Sequence, residues 1–143
     1  MPRCLVDAGP LIALFDRDDD QHEVILRFLA DFSGGLVTSW AVITETLHML
    51  DFSTEAQLDF LEWLRREALE IPRFGKEHLR RLIELSRKYA DVPMDFADAS
   101  LIVLAESEGL DEIITLDSDF LVYRTARGGA LRNLLDMMGR EPR

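Results

Sequence analysis

Arg3-Cys4-Leu5-Val6-Asp7, stopped by Gly9-Pro10, and Glu112-Ile113-Ile114-Thr115-Leu116-Asp117 are the stretches that decide the fold. Both are short, apolar and largely β-branched or aliphatic, and helical patterns lie between them, which predicts βαβ units and a parallel sheet of the α/β class. Ligands of such sheets bind just beyond the carboxyl ends of the strands. Both stretches end there in an aspartate. Glu45 and Asp98, on intervening helices, can join them in a carboxylate pocket. Such a pocket is costly to assemble unless a cation or shared protons relieve the repulsion.

Working outward, Pro10 to Phe15 starts a short helix with proline in its first turn. Asp16 to Asp20 is a polar turn, and a helix follows to about Phe32, ended by Ser33-Gly34-Gly35. Leu36-Val37-Thr38 reads as a second strand, and Thr38 or Ser39 can cap a helix running to about Asp51. Ser53-Thr54 opens the next helix, and Ala68 to Pro72 is a third short strand. Gly75 to Tyr89 is predicted helical, as is Phe96 to about Ser107, closed near Gly109. Ile113 to Leu116 is the fourth strand. Phe120 to Tyr123 is expected to be a fifth, edge strand, and Ala130 to Met138 a C-terminal amphipathic segment. Strand and helix alternate, which is an α/β sandwich.

A chain of 143 residues with 48% hydrophobic and 30% charged residues suits one domain with a substantial core. No run has the apolar length to cross a bilayer, no signal-peptide pattern opens the chain, and the single Cys4 can make no internal disulfide. A cytoplasmic location is therefore expected. The net charge of −11 argues at first against a nucleic-acid partner. Its distribution softens that: Arg73–Lys88 carries +4 and Phe120–Arg143 carries +3, leaving −18 elsewhere. Solvated helix faces account for much of this, and the acid pocket for part.

Each acid has an ordinary explanation as well. Asp7 can open a turn beside Gly9 and Pro10. Glu45 interrupts an apolar stripe of Ala41, Val42 and Met49, and can pair with His48 three residues on. Asp98 faces Leu101, Ile102 and Ala105, and can form a reciprocal cap with Asp95. Asp117 or Asp119 can cap a turn. Thr115 shares a strand face with Asp117, where its hydroxyl is expected to orient a ligand. Four coincidences at two strand ends and two inward helix faces favour one shared site. Asp16, Asp18, Asp19 and Asp20 lack the glycine and distal glutamate of a calcium loop, the three histidines show no metal spacing, and there is no glycine-rich phosphate loop.

The ordered set Val6-Asp7-Ala8-Gly9-Pro10-Leu11-Ile12-Ala13-Leu14, Thr38-Ser39-Trp40-Ala41-Val42-Ile43-Thr44-Glu45, Met94-Asp95-Phe96-Ala97-Asp98-Ala99-Ser100-Leu101 and Ile114-Thr115-Leu116-Asp117-Ser118-Asp119-Phe120 resembles the PIN-domain ribonucleases. Within them it is similar to the small VapC-type toxins of bacterial and archaeal toxin–antitoxin pairs. The resemblance covers essentially the whole chain. It implies a three-layer α/β sandwich with a parallel central sheet flanked by helices, as a single PIN-like domain over residues 1–143. It also implies an acidic cluster binding Mg²⁺ or Mn²⁺. By motif, Asp7, Glu45, Asp98 and Asp117 match the family acids, with Asp119 an optional fifth. Many relatives carry Ser or Thr where this chain has Gly9.

On this reading Asp7 and Asp98 are the principal metal ligands, and Glu45 and Asp117 complete the site. The metal would activate water against an RNA phosphodiester, with a 5′-phosphate product implied by the family. Arg124 and Arg127, with the basic stretch at Arg73–Lys88, are candidates to hold the RNA backbone. A small antitoxin is the implied partner, and the surface near Leu47–Leu50 and Leu58–Leu64, with Trp40, Phe52 and Trp63 as anchors, is its expected seat or a homodimer face. Two rival readings share the sequence. One is a metal-dependent phosphohydrolase of small phosphate esters; its aspartyl-nucleophile form wants an Asp where Gly9 stands. The other is a non-catalytic acidic interaction module, for which metal is irrelevant.

Overall fold

The computed structural model describes residues 2–92 and 94–137, and the side chain of residue 137 is outside that description. Five parallel strands form one sheet: β1 (Arg3–Val6), β2 (Gly35–Val37), β3 (Leu69–Glu70), β4 (Glu112–Ile114) and β5 (Arg132–Asn133), in the order β3-β2-β1-β4-β5. The helices are α1 (Ala8–Phe15), α2 (His22–Asp31), α3 (Trp40–Met49), α4 (Thr54–Arg65), α5 (Leu79–Lys88), α6 (Phe96–Glu108) and α7 (Leu134–Met137). Cys4, Leu5 and Val6 are all buried, so both faces of the central strand are covered, as in a doubly wound sheet. The chain winds outward from β1 through β2 to β3, then crosses back to β4 on the other side of β1. The winding therefore reverses between β1 and β4, the place where open α/β sheets bind ligands beyond the carboxyl ends of the strands.

Local chemistry explains the helix starts. Ser39 Oγ accepts from Val42 N at 3.1 Å and caps α3, and Ser53 Oγ does the same for α4 from Ala56 N at 3.1 Å. Gly109, in the left-handed region at φ 67°, ends α6 where a side chain would be strained. The core runs from Leu11, Ile25 and Phe28 through the strands to Leu101, Ile102 and Leu104 of α6, whose residues 97–105 are all buried.

Three expectations need correction. Phe120–Tyr123 is not an edge strand. Asp117 caps a 3₁₀ turn over Ser118–Leu121, which turns Phe120 and Tyr123 into the core while Leu121 and Val122 stay exposed. The fifth strand lies instead at Arg132–Asn133, inside the segment expected to be amphipathic, which is helical only from Leu134; Met138 lies outside the described residues. Gly75–Tyr89 is two elements, because a 3₁₀ turn over Lys76–His78 precedes α5. Among the expected surface anchors, Trp40 and Phe52 are each 62% exposed, but Trp63 is half-buried and packs its ring edge against Phe15, and Leu50 is in the core.

Candidate metal centre

The switch point of the sheet is where the acids meet. β1 runs into Asp7, whose backbone N–H extends the ladder to the Ile114 carbonyl at 3.0 Å and whose Oδ1 caps α1 by accepting from Ala8 N at 2.8 Å. β4 leads through Thr115 to Asp117, whose Oδ1 accepts from Asp119 N at 2.9 Å. Asp98 occupies the third position of α6. Its N–H donates to Asp95 Oδ1 at 2.8 Å, and its own Oδ2 accepts from Asp95 N at 3.4 Å. The cap and the site acid are thus one capping box rather than alternatives. Tyr123, fully buried, donates its phenol to Asp98 Oδ2 at 3.3 Å. Ser39 and Ser100 share a 2.7 Å hydrogen bond that pins the start of α3, and hence Glu45, to α6.

One carboxylate oxygen from each of Asp7, Asp98 and Asp117 lies within 4.8 Å of the other two. Asp7 and Asp98 are only 6% and 8% exposed, and Asp117 lies nearer solvent. Glu45 is half-buried on the same rim. Among the described residues no lysine or arginine pairs with any of the three aspartates. Burial, then Asp95, Asp7 and Asp117, push the Asp98 carboxyl up to about 7. Burial raises Asp7 as well, with Asp117 and Asp95 adding to it against the hydrogen bonds from Ala8 and Thr115. Burial followed by Asp95, Asp7 and Asp117 raises Glu45. Such a cluster of hard oxygen donors, with no cationic side chain paired to it among the described residues, fits a divalent cation. The positive ends of α1 and α6 relieve only part of the repulsion.

The structure brings together Asp7, Asp98 and Asp117, with Glu45 close enough to raise their charge density. It leaves Asp119 outside the three-carboxylate group. The electrostatic neighbours of Glu45 are acids, not His48, which is exposed. Thr115 is 1% exposed, and its hydroxyl donates to Asp7 Oδ2 at 2.9 Å and accepts from Asp117 N at 3.0 Å, so it bridges two of the acids. Arg124 is partly buried, its Nη1 bonded to the carbonyls of Leu121 at 2.6 Å and Tyr123 at 3.0 Å, while Arg127 is exposed. Sequence reasoning missed Tyr123, Asn133 and the electrostatic part of Asp95. Tyr123 was hidden in an apparent strand, and Asn133 bonds Thr115 across 18 residues, a separation no local pattern signals.

Comparison with known proteins follows the same lines. The PIN domain family model matches residues 4–126. The chain is 27% identical over 128 residues to ribonuclease VapC26 of Mycobacterium tuberculosis (strain ATCC 25618 / H37Rv), covering 87% of this chain and 95% of that one. In fold it is similar to Mycobacterium tuberculosis VapC20, a Sarcin-Ricin loop cleaving toxin, with TM-score 0.75, 19% identity, and 83% and 93% of the two chains covered. It is also similar to VapBC2 of Rickettsia felis, solved bound to a DNA fragment from its promoter, with TM-score 0.61, 17% identity, and 84% and 92% covered.

Proposed function

Because the chain belongs to the PIN domain family, we propose that it is a metal-dependent endoribonuclease acting as the toxin of a toxin–antitoxin pair in the cytoplasm. The observation that carries this reading is the convergence of three carboxylates within 4.8 Å, unpaired with any cationic side chain among the described residues, at the switch point of a parallel sheet. The ribonuclease and toxin roles of the similar proteins point the same way. Asp7, Asp98 and Asp117 would hold Mg²⁺ or Mn²⁺, with Glu45 adding charge at the rim and Asp119 peripheral. A bound cation there supplies an activated water and stabilises charge on a phosphodiester. Thr115 fixes the Asp7 carboxylate and the Asp117 backbone, and Tyr123 fixes Asp98, so the site is organised before any ligand arrives. Arg127, exposed beyond the site, supplies a phosphate contact, and Arg124 a second from a partly held guanidinium. An antitoxin chain would cover Trp40, Met49, Phe52, Leu58 and Leu61, which are all exposed on α3, α4 and their connection.

Cleavage of structured RNA in Mn²⁺ tests this, comparing wild type with Asp98→Asn. The wild type is expected to cut to 5′-phosphate ends and Asp98→Asn to fall to background while still binding RNA. Equal rates would overturn the assignment in favour of a non-catalytic acidic module. Co-purification with a small neighbouring protein tests the antitoxin, and the mass of the species isolated reports whether a second copy occupies that surface instead.

A further inference from the structure

β5 is only two residues long, and the ladder between it and β4 ends at the pair Ile113–Asn133. Beyond that point the chain turns into α7, so no β5 backbone faces Thr115. The Asn133 side chain does so in its place. Its Oδ1 accepts from Thr115 N at 3.3 Å, and its Nδ2 donates to the Thr115 carbonyl at 2.9 Å. Oδ1 also accepts from Leu135 N at 3.2 Å, which fixes the amide plane from the α7 side. A carboxamide is the one side chain that offers a donor and an acceptor with the spacing of a peptide group. Aspartate would set an oxygen against the Thr115 carbonyl, and glutamine would overshoot by a methylene. The residue so clamped is the one whose hydroxyl bridges Asp7 Oδ2 and Asp117 N.

We propose that Asn133 is a positioning residue of the metal centre: it substitutes for the missing β5 peptide, clamps Thr115, and through it sets the separation of Asp7 and Asp117. The inference rests on the metal reading above and adds a residue that touches none of the ligands. Partners of this kind typically govern metal affinity by roughly 10- to 100-fold.

The test is calorimetric titration of Mn²⁺ into wild type, Asn133→Ala, Thr115→Val, the double variant, and Leu131→Ala. Leu131 is a buried residue beside β5 that makes no bond to Thr115, so it reports on loosening of the strand alone. Asn133→Ala is expected to weaken Mn²⁺ binding at least tenfold. The double variant should lose little beyond the worse single one, because both act through one hydroxyl. Leu131→Ala should lower Tm with Mn²⁺ affinity retained. Wild-type affinity in Asn133→Ala, or an equal loss in Leu131→Ala at matched Tm, overturns the proposal. A wild type that binds no Mn²⁺ overturns instead the metal reading beneath it. Should Asn133→Ala not fold, NMR titration of wild type with Mg²⁺ decides: the Asn133 side-chain amide resonances should move in step with the Thr115 and Asp117 amides, and a static amide beside moving Asp117 overturns the clamp.

Discussion

The acids of this chain live under two regimes. Away from the sheet's switch point, among the described residues, eight of them pair with arginine: Glu62 with Arg65 and Arg66, Glu77 with Arg73, Glu106 and Glu84 with Arg81, Glu70 and Glu108 with Arg3, Asp111 and Glu112 with Arg132. At the sheet's switch point, among the described residues, Asp7, Asp98 and Asp117 are matched only with neutral donors, namely backbone amides, Thr115 and Tyr123. The protonation tendencies diverge accordingly. Arg65 and Arg66 hold Glu62 below the usual carboxylate range, whereas burial and neighbouring acids lift Asp98 to about 7. Among the described residues, arginine pairs with acids elsewhere and with none of the three converging aspartates. The difference leaves three converging carboxylates whose repulsion a positive charge from outside the chain would relieve.

The sharpest way to break this contrast is Asp98→Asn in metal-free protein. At a surface acid such a change removes an attraction. Here it removes a repulsion, so thermal stability at pH 8 without metal should rise, while the upward Tm shift given to wild type by Mn²⁺ should largely vanish. A lower Tm for the variant in EDTA would place the cluster among ordinary structural acids.

Next in size is the pH dependence of the metal-free wild type. Asp98 stands at about 7 in the folded state against a reference of 3.8 when unfolded. Between those values the folded chain binds more protons than the unfolded one, so stability falls as pH rises through the window. Asp7 and Glu45, raised in the same direction, add to the slope. Every tenfold gain in proton affinity on folding corresponds to about 1.4 kcal/mol, and saturating Mn²⁺ should flatten or reverse the trend by holding the carboxylates ionised. Urea titrations at pH 5 and pH 8, with EDTA and with Mn²⁺, measure it. A stability that climbs from pH 5 to pH 8 in EDTA contradicts the site as drawn.

A surface pair should behave in the opposite manner. Arg73 Nη1 sits 2.9 Å from Glu77 Oε1 with both side chains exposed. Arg73→Met should cost at most about 1 kcal/mol, diminish that cost further in high salt, and leave Mn²⁺ affinity untouched. Smallest of all is Arg127→Ala. It should lower the slope of RNA affinity against log salt by about one contact with no change in Tm or metal binding. An unchanged slope removes Arg127 from the RNA path.

Much of this architecture was legible because it rests on local rules. β1 and β4 announce themselves as short apolar runs, β1 followed at once by Asp7 and β4 three residues on by Asp117, and the Ser39, Ser53 and Asp95 caps sit where helix starts need them. Asp7, Asp98 and Asp117 were readable for the same reason: an acid at a strand end or in a first turn has few other places to point. What stayed hidden depends on partners far along the chain. Phe120-Leu-Val-Tyr123 has strand composition, but the cap at Asp117 winds it into a 3₁₀ turn that delivers Tyr123 to Asp98. β5 is too short to carry a pattern and is a strand only because β4 lies beside it. Thr115 sits on the predicted face, yet its hydroxyl is taken up by Asp7 and Asp117, which only the meeting of β1 and β4 could reveal.

Cys4, the chain's single thiol, lies in the middle of the central strand at 1% exposure, and burial pushes it up to about 12. A thiol so placed is both shielded and un-ionised, so external disulfide reagents meet it only when β1 leaves the sheet. Since β1 is hydrogen-bonded on both sides, that event is the opening of the whole molecule. Cys4 is thus a built-in clock. The rate at which it is labelled in native buffer, with and without Mn²⁺, reads global unfolding without dye, denaturant or substitution.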